Sequence, residues 1–349
     1  MLLEGSNCLS STPPISNSNK PRKKKTSLMA SEHPDRQLPT VLLLRRPTLF
    51  DSELSQRFHL LQPYRSPLPL SVFLSAHADS VRAALVSAGT RVDADLLEKL
   101  PSLGVVATTS AGVNHIDLVE CRRRNVMVAG AGTVFSVDVA DHAVGLTIDL
   151  LRKVSEGDRF VRAGGWPAQG EFPLGAKLGG KRVGIVGLGS IGSEIAKRLE
   201  AFGCAISYNS RSSKPDVAYR YFSHVRDLAA ESDVLILCCA LNEETHHLIN
   251  NEVMDALGKN GIVINVGRGD LIDEKELVRY LMEGKLGGAG LDVFENEPAV
   301  PKELYTMENV VLTPHSAVHT PESINDLAQL MIANLEAFFS NKPLLSQVL

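Results

Sequence analysis

Short apolar runs alternate with amphipathic stretches along the chain from residue 41 onward. In the first third, the strand-sized runs are Val41–Leu44, Ala83–Val86, Val105–Thr108 and Val126–Val128. A second series follows Arg182, with runs at Val183–Gly187, Ala205–Tyr208, Val234–Cys238, Ile262–Val266, Gly288–Asp292 and Val310–Leu312. Because these runs are apolar throughout rather than alternating, they predict parallel strands covered by helices on both faces. We therefore predict an α/β protein with two Rossmann-like, doubly wound parallel sheets, the second with six strands.

Two longer stretches have apolar positions at helical spacing. They predict one helix over Val137–Gly157 and another over Pro321–Phe339. The first would bridge two domains, and the second would return to the earlier domain. We therefore predict a discontinuous, flavodoxin-like substrate-binding domain of residues 39–138 and 318–349, and a dinucleotide-binding domain of residues 139–317.

Composition excludes several classes of protein. The 349 residues are 44% hydrophobic and 22% charged, which is typical of a globular chain, and the net charge of −4 gives no reason to expect nucleic acid as a partner. No apolar run approaches the roughly 18 residues that cross a bilayer, so we expect no membrane partner. The five cysteines form no CxxC or Cys/His cluster, so we expect no metal site and a reducing compartment, the cytoplasm.

The first 38 residues differ from the rest. They are rich in Ser, Asn and Pro, they contain a basic run at Lys20–Lys25, and they show no apolar periodicity. Such a stretch buries too little apolar surface to offset its ordering entropy, so we predict a disordered tail over residues 1–38. Organelle targeting by this tail stays open.

A glycine-rich turn joins the first strand of the second series to a helix. The sequence Gly187-Leu188-Gly189-Ser190-Ile191-Gly192 has G-x-G-x-x-G spacing. Its glycines permit a tight turn, close approach of the backbone to a pyrophosphate, and close packing of the helix. The N–H groups of Ser190 and Ile191 would face the phosphates at the positive end of the helix. We therefore predict a dinucleotide cofactor here.

The end of the next strand bears on the choice between NAD and NADP. An NAD site needs a carboxylate for the ribose 2′-hydroxyl, but Ser207–Lys214 contains no acidic residue. Arg211 can instead pair with a 2′-phosphate through its planar guanidinium. Ser210, Ser212 and Lys214 add hydrogen-bond donors. We therefore predict that the site prefers NADPH over NADH.

Three side chains suited to reducing a 2-oxo acid follow other strand ends. Arg268 offers a guanidinium that matches a carboxylate and polarises the adjacent carbonyl. His315 is the natural general acid, because imidazole titrates near working pH. Glu297 would orient this imidazole and stabilise its charged form. Since the carboxyl ends of parallel strands meet at one edge, we expect the three to converge in one cleft.

Over nearly everything after residue 40, the chain resembles the D-isomer-specific 2-hydroxyacid dehydrogenase family. The matching motifs are GLGSIG at 187–192, NVGRG at 265–269, GLDVFENEP at 290–298 and LTPH at 312–315. GKRVGIVGLGSIG, YNSRS and GGAGLDVFENEPAVP are similar to plant NADPH-preferring glyoxylate/hydroxypyruvate reductases and hydroxyphenylpyruvate reductases. The resemblance implies an enzyme that reduces glyoxylate, hydroxypyruvate or hydroxyphenylpyruvate by hydride transfer.

The resemblance also implies individual roles. Arg268 would bind the substrate carboxylate, and His315 would donate the proton with Glu297 as its partner. Asp292 and the Val266 carbonyl would hold the nicotinamide carboxamide.

Outside these motifs, the resemblance implies two further contacts. The backbone N–H groups of Ala111 and Gly112 would bind the substrate carboxylate. Trp166 would lie near the partner subunit's site in a homodimer. Many relatives carry small, glycine-rich residues where this chain has Ser316–His319, so the size of the preferred 2-oxo acid stays open.

Two other hypotheses remain at this point. The chain could be another enzyme of the same family, such as a phosphoglycerate or formate dehydrogenase, although a phosphoglycerate dehydrogenase would want an acidic ribose partner. It could also be a non-enzymatic, dinucleotide-sensing corepressor or scaffold, although the set of Arg268, Glu297 and His315 argues for catalysis.

Overall fold

The computed structural model describes residues 38–45 and 50–349, and within them the chain forms two parallel sheets. The first sheet consists of β1 (Thr40–Leu43), β2 (His59–Leu61), β3 (Ala83–Val86), β4 (Val105–Thr108) and β5 (Met127–Ala129), in the spatial order β2-β1-β3-β4-β5. Its helices are α1 (Asp51–Ser55), α2 (Leu70–His77), α3 (Ala94–Glu98) and α4 (Leu118–Arg123). Every residue of β3 and β4 is buried, as continuous apolar runs predict. Apart from Leu38, the predicted disordered tail lies outside the described residues.

The second sheet has seven strands. They are β6 (Arg182–Val186), β7 (Ala205–Asn209), β8 (Arg220–Phe222), β9 (Val234–Leu237), β10 (Ile262–Asn265), β11 (Gly288–Leu291) and β12 (Val310–Leu312), in the order β12-β11-β10-β9-β6-β7-β8. Its helices are α8 (Ser190–Ala201), α9 (Val225–Ala230), α10 (Asn251–Leu257) and α11 (Glu274–Met282). All pairings within both sheets are parallel, so the predicted fold class is confirmed.

Two edge strands contradict the predicted strand count. β2 and β8 are each three residues long, and in each only the last residue is buried. An edge strand has one open side, so it can be short and partly polar. The prediction of six strands in the second sheet is therefore wrong by one, because Arg220–Phe222 lacks the apolar run that marked the others.

The long helix predicted over Val137–Gly157 is two helices, α5 (Ser136–Arg152) and α6 (Val154–Arg162). Lys153 separates them in the left-handed region, with a φ of +56°. The Asp149 carboxylate accepts a hydrogen bond from the Ser155 N–H at 2.7 Å, which satisfies the start of the second helix. This local turn, followed by the short α7 (Gly165–Gln169), overrides the helical periodicity.

The C-terminal helix α12 (Pro321–Phe339) matches its predicted bounds and packs against the first sheet. A Cβ on Gly104 would come within 2.8 Å of the Phe338 ring, which shows how closely the two approach. Beyond α12, the Val348 N–H donates to the Val128 carbonyl at 2.8 Å, so the chain end joins the β5 edge. The first domain is therefore built from two chain segments, and the exact domain boundaries stay a prediction.

No helix in the described part of the chain is long and apolar enough to cross a membrane. The cytoplasmic location stays a prediction.

Candidate active site

The glycine-rich turn lies between β6 and α8. Gly187 has a φ of +101°, a region that favours glycine, and a Cβ there would come within 2.6 Å of the Cys239 backbone. A Cβ on Gly192 would overlap the Gly187 carbonyl oxygen, so this glycine lets α8 start close to the turn. The space beside Gly189 is open, and the first N–H groups of α8 have no partners within the helix. An anionic pyrophosphate fits this arrangement.

The loop after β7 brings together the residues predicted for the ribose. The Ser210 hydroxyl donates to the Ser212 carbonyl at 2.7 Å, and the Lys214 N–H donates to the Tyr208 hydroxyl at 2.8 Å. Arg211 is exposed, and no described carboxylate lies within ion-pair distance of it. The loop is therefore held by its own hydrogen bonds and leaves its guanidinium free for a ligand.

Arg268 is held in the turn after β10 by its neighbours. The buried Asn265 side chain donates to the Arg268 carbonyl at 2.9 Å and accepts from the Gly267 N–H at 3.0 Å. The guanidinium itself donates to the Gly267 carbonyl at 2.7 Å and to the Ser110 hydroxyl at 3.4 Å. A Cβ on Gly112 would overlap its Nη2. Arg268 therefore lies directly against the loop after β4.

His315 and Glu297 are hydrogen-bonded, with 2.8 Å between Nδ1 and Oε2. The other oxygen of Glu297 accepts the Phe294 N–H at 3.1 Å. Burial acts to raise the pKa of Glu297, but these hydrogen bonds and the charges of His315 and Arg268 hold it below its usual value. Glu297 is therefore a carboxylate at neutral pH. His315 has a φ of +52°, an uncommon conformation for a non-glycine residue that marks the turn as tightly determined.

The turn that carries this imidazole is anchored by Asp292, whose exposed fraction is 1%. Its carboxylate accepts hydrogen bonds from the Thr313 hydroxyl at 2.6 Å, the Ser316 N–H at 2.8 Å and the Ala317 N–H at 3.1 Å. The His142 Nε2 lies 2.9 Å from the Thr313 hydroxyl oxygen. Since that hydroxyl donates to Asp292, His142 must be the donor in this contact. Asp292 therefore positions the turn, a role that the motif alone did not indicate.

These elements border one cleft of about 500 Å³ between the two sheets. The predicted site residues that line it are Ala111, Ile191, Val266, Arg268, Asp292 and His315. Gly112 and Glu297 stand just behind this lining, against Arg268 and His315 respectively. Leu188 is buried in the core, whereas Trp166 is 66% exposed and does not line the cleft. The strand-end residues thus converge, and Trp166 stays apart from them within this chain.

Several residues around the cleft were missed from the sequence. Arg45, Ser110 and His319 line it, and His142 with Thr313 supports it. Thr313 stands beside the histidine of the LTPH motif, and Arg45 follows a strand end on the same edge, so both had a weak positional signal. Ser110 adjoins the predicted Ala111 in the loop after β4, so it had a positional signal too. His142 had none, because its contact with Thr313 joins residues far apart in the chain.

Comparison with known proteins identifies the family of the chain. Residues 144–317 match the family model of the D-isomer specific 2-hydroxyacid dehydrogenase NAD binding domain. The chain is 56% identical over 314 residues to the glyoxylate/hydroxypyruvate reductase HPR3 of Arabidopsis thaliana, covering 89% of this chain and 97% of that protein. It is 48% identical over 301 residues to a hydroxyphenylpyruvate reductase of Plectranthus scutellarioides, covering 86% of this chain and 96% of that protein.

A solved structure has the same overall fold. The NADPH-dependent glyoxylate/hydroxypyruvate reductase of Sinorhizobium meliloti, in complex with NADP and malonate, superposes with a TM-score of 0.82 and 34% identity, covering 89% of this chain and 96% of that chain. The family and enzyme class predicted from the motifs are confirmed. The chain belongs to the D-isomer specific 2-hydroxyacid dehydrogenase family.

Proposed function

We propose that this protein is an NADPH-preferring reductase that converts small 2-oxo acids, such as glyoxylate and hydroxypyruvate, to 2-hydroxy acids. The observation that carries the proposal is the 2.8 Å pair between His315 Nδ1 and Glu297 Oε2, in a cleft that Arg268 also lines. The names of the relatives at 56% and 48% identity support this substrate class, and the second adds hydroxyphenylpyruvate as a candidate.

The substrate carboxylate binds between two elements from different sheets. Arg268 supplies a guanidinium fork, and its charge also polarises the adjacent carbonyl. Ala111 and Gly112, in the loop after β4, supply backbone N–H groups to the same carboxylate. Burial lowers the pKa of Arg268 while the charge of Glu297 raises it, yet a guanidinium stays protonated at any working pH. The carboxylate therefore always meets a cation.

His315 donates the proton to the carbonyl oxygen as the carbonyl carbon is reduced. Its Nδ1 faces Glu297, so the Nδ1–H bonds to the carboxylate and the Nε2–H is the proton that is transferred. Glu297 stabilises the charged imidazole before transfer and keeps the ring oriented. The anchored turn around Asp292 holds the ring in place during this step.

The residues present fit a nicotinamide dinucleotide. The turn Gly187–Gly192 suits its pyrophosphate, because the space beside Gly189 is open and α8 presents unpaired N–H groups. The Val266 carbonyl would accept from the nicotinamide carboxamide, as would Asp292 Oδ2, which among described groups accepts only the Ala317 N–H. When bound, the reduced cofactor supplies the hydride.

The preference for NADPH rests on the loop after β7. Arg211 would pair with the 2′-phosphate, and Ser212 and Lys214 would add donors around it. The Ser210 hydroxyl would join them by turning away from the Ser212 carbonyl, to which it donates in this structure. The relative solved with NADP is named as NADPH-dependent, which supports this preference. Replacing Arg211 by Ala should raise the KM for NADPH and leave the KM for NADH nearly unchanged; an unchanged preference would contradict the assignment.

The proposal as a whole is tested by following NADPH oxidation with glyoxylate, hydroxypyruvate and hydroxyphenylpyruvate. A reductase oxidises NADPH only when a 2-oxo acid is present, and its preference among the three identifies the substrate. Binding of NADPH without turnover on any of them would favour the sensor hypothesis instead.

A homodimer belongs to the same proposal. Four large apolar side chains are exposed along residues 154–174, namely Val154, Val161, Trp166 and Leu174. A second copy would cover this surface and bring Trp166 near the partner's site. Light scattering on the wild type and on Trp166→Ala tests it: a dimer weakened by the substitution supports the assignment, and a wild-type monomer contradicts it.

A further inference from the structure

A second cation lines the cleft besides Arg268. Arg45 follows β1 by two residues, at the carboxyl edge of the first sheet, and its side chain borders the same cleft as Arg268 and His315. Among the residues that the structure describes, no carboxylate lies within ion-pair distance of it. The proposed reaction on a simple 2-oxo acid uses one cation for the substrate carboxylate and leaves Arg45 without a role.

The neighbouring loop makes room for this guanidinium. Gly89, just after β3, lies so close that a Cβ on it would be 2.6 Å from Arg45 Nη1. The φ of Gly89 is outside the left-handed region, so its backbone does not require glycine. Glycine at position 89 therefore leaves the space that the Arg45 guanidinium occupies at the strand ends.

The carboxylates at the cleft are already engaged. Asp292 accepts three hydrogen bonds from its own turn, and Glu297 is paired with His315. Among the residues that the structure describes, the positive charge of Arg45 is thus unmatched within the cleft, whereas the cleft wall carries apolar side chains such as Phe50 and Leu85. Such a surface suits a short carbon chain that ends in an anion.

We propose that Arg45 binds a second carboxylate of the substrate, so that 2-oxo dicarboxylic acids are preferred substrates of this cleft. The inference rests on the proposed function, since it concerns the far end of the same substrate. The reaction is NADPH + H⁺ + 2-oxo dicarboxylate giving NADP⁺ + 2-hydroxy dicarboxylate. The hydride adds to the carbonyl carbon, and the proton from His315 goes to the carbonyl oxygen.

The test compares substrate pairs that differ only in the terminal group. Oxaloacetate is compared with 2-oxobutyrate, and 2-oxoglutarate with 2-oxopentanoate, with glyoxylate as the reference for activity. The wild type should have the higher kcat/KM on the dicarboxylate of at least one pair. Arg45→Leu should lower the dicarboxylate-to-monocarboxylate ratio about tenfold or more, mainly through KM, because a charge-assisted hydrogen bond is lost.

Further variants separate this role from a change in folding. Arg45→Lys keeps the charge and should restore part of the ratio, whereas Gly89→Ala should lower it because its Cβ displaces the guanidinium. Arg91→Leu removes a cation whose side chain is 85% exposed, from the same domain, and should leave every ratio unchanged. If the wild type reduces glyoxylate but Arg45→Leu and Gly89→Ala leave the ratios unchanged, the inference is wrong and the proposed function stands. If no 2-oxo acid is reduced, both fail.

Discussion

Replacing Glu297 by Gln isolates the electrostatic part of the proposed proton transfer. The amide retains an acceptor for His315 Nδ1 at the same position, so the geometry of the 2.8 Å contact is kept and only the negative charge is lost. A carboxylate favours the charged imidazole, which is the form that donates the proton. We therefore expect reduction to slow and to lose its activity at a lower pH than in the wild type.

The size of the effect follows from the exposure of the pair. Hydrogen bonds to charged groups contribute roughly 1.5–3 kcal/mol and neutral ones about 0.5–1.5 kcal/mol. The side chains of His315 and Glu297 are 38% and 35% exposed, so solvent screens the charge and the lower end applies. A loss of about 1 kcal/mol corresponds to roughly a fivefold fall in kcat/KM.

The assay is the pH profile of kcat/KM for hydroxypyruvate with saturating NADPH. Glu295→Gln is a matched control, because Glu295 Oε1 lies 2.7 Å from His247 Nε2 in a second carboxylate–imidazole pair, and neither residue lines the cleft. That variant should keep the wild-type profile. A Glu297→Gln profile that coincides with the wild type, or equal shifts in both variants, would refute the role assigned to the carboxylate.

Two further predictions concern stability and substrate binding. Burial, together with the nearby carboxylates of Glu295 and Asp270, raises the pKa of Glu274. The folded state therefore loses stability as pH rises through that raised value. Glu274→Gln should have a higher Tm than the wild type near pH 8 and the same Tm near pH 4. Equal Tm values at both pH values would contradict this. Gly112→Ala places a Cβ against Arg268 Nη2 and should raise the KM for the 2-oxo acid about tenfold or more. The NADPH Kd, measured by fluorescence titration, should stay unchanged. A change in the NADPH Kd alone would contradict this prediction.

The sequence was most informative where burial on both faces forces a continuous apolar run. Such runs predicted the central strands of both sheets, and Pro321–Phe339 was predicted to the residue because its apolar stripe faces the first sheet. The strands His59–Leu61 and Arg220–Phe222 were missed, because an edge strand needs no such run. The break at Lys153 was missed because one left-handed residue and one side-chain acceptor decide it.

The candidate site likewise has residues that the sequence predicted and residues that it did not. Arg268, Glu297 and His315 were predictable because each stands after a parallel strand, and such ends meet at one edge. The groups that hold them were not, since the contact of His142 with Thr313 joins residues 171 positions apart. A motif indicates which side chains are candidates for the reaction, but only the packed structure shows which groups hold those side chains in position.

The most direct test of the account is single-turnover reduction of hydroxypyruvate by His315→Gln, with the NADPH Kd measured on the same sample. Loss of a positioned general acid should slow the step by about 10²- to 10⁴-fold, while the NADPH Kd stays within about twofold of the wild type, because this imidazole acts on the carbonyl oxygen rather than on the cofactor. A variant that reduces hydroxypyruvate at the wild-type rate would show that the proton comes from another group.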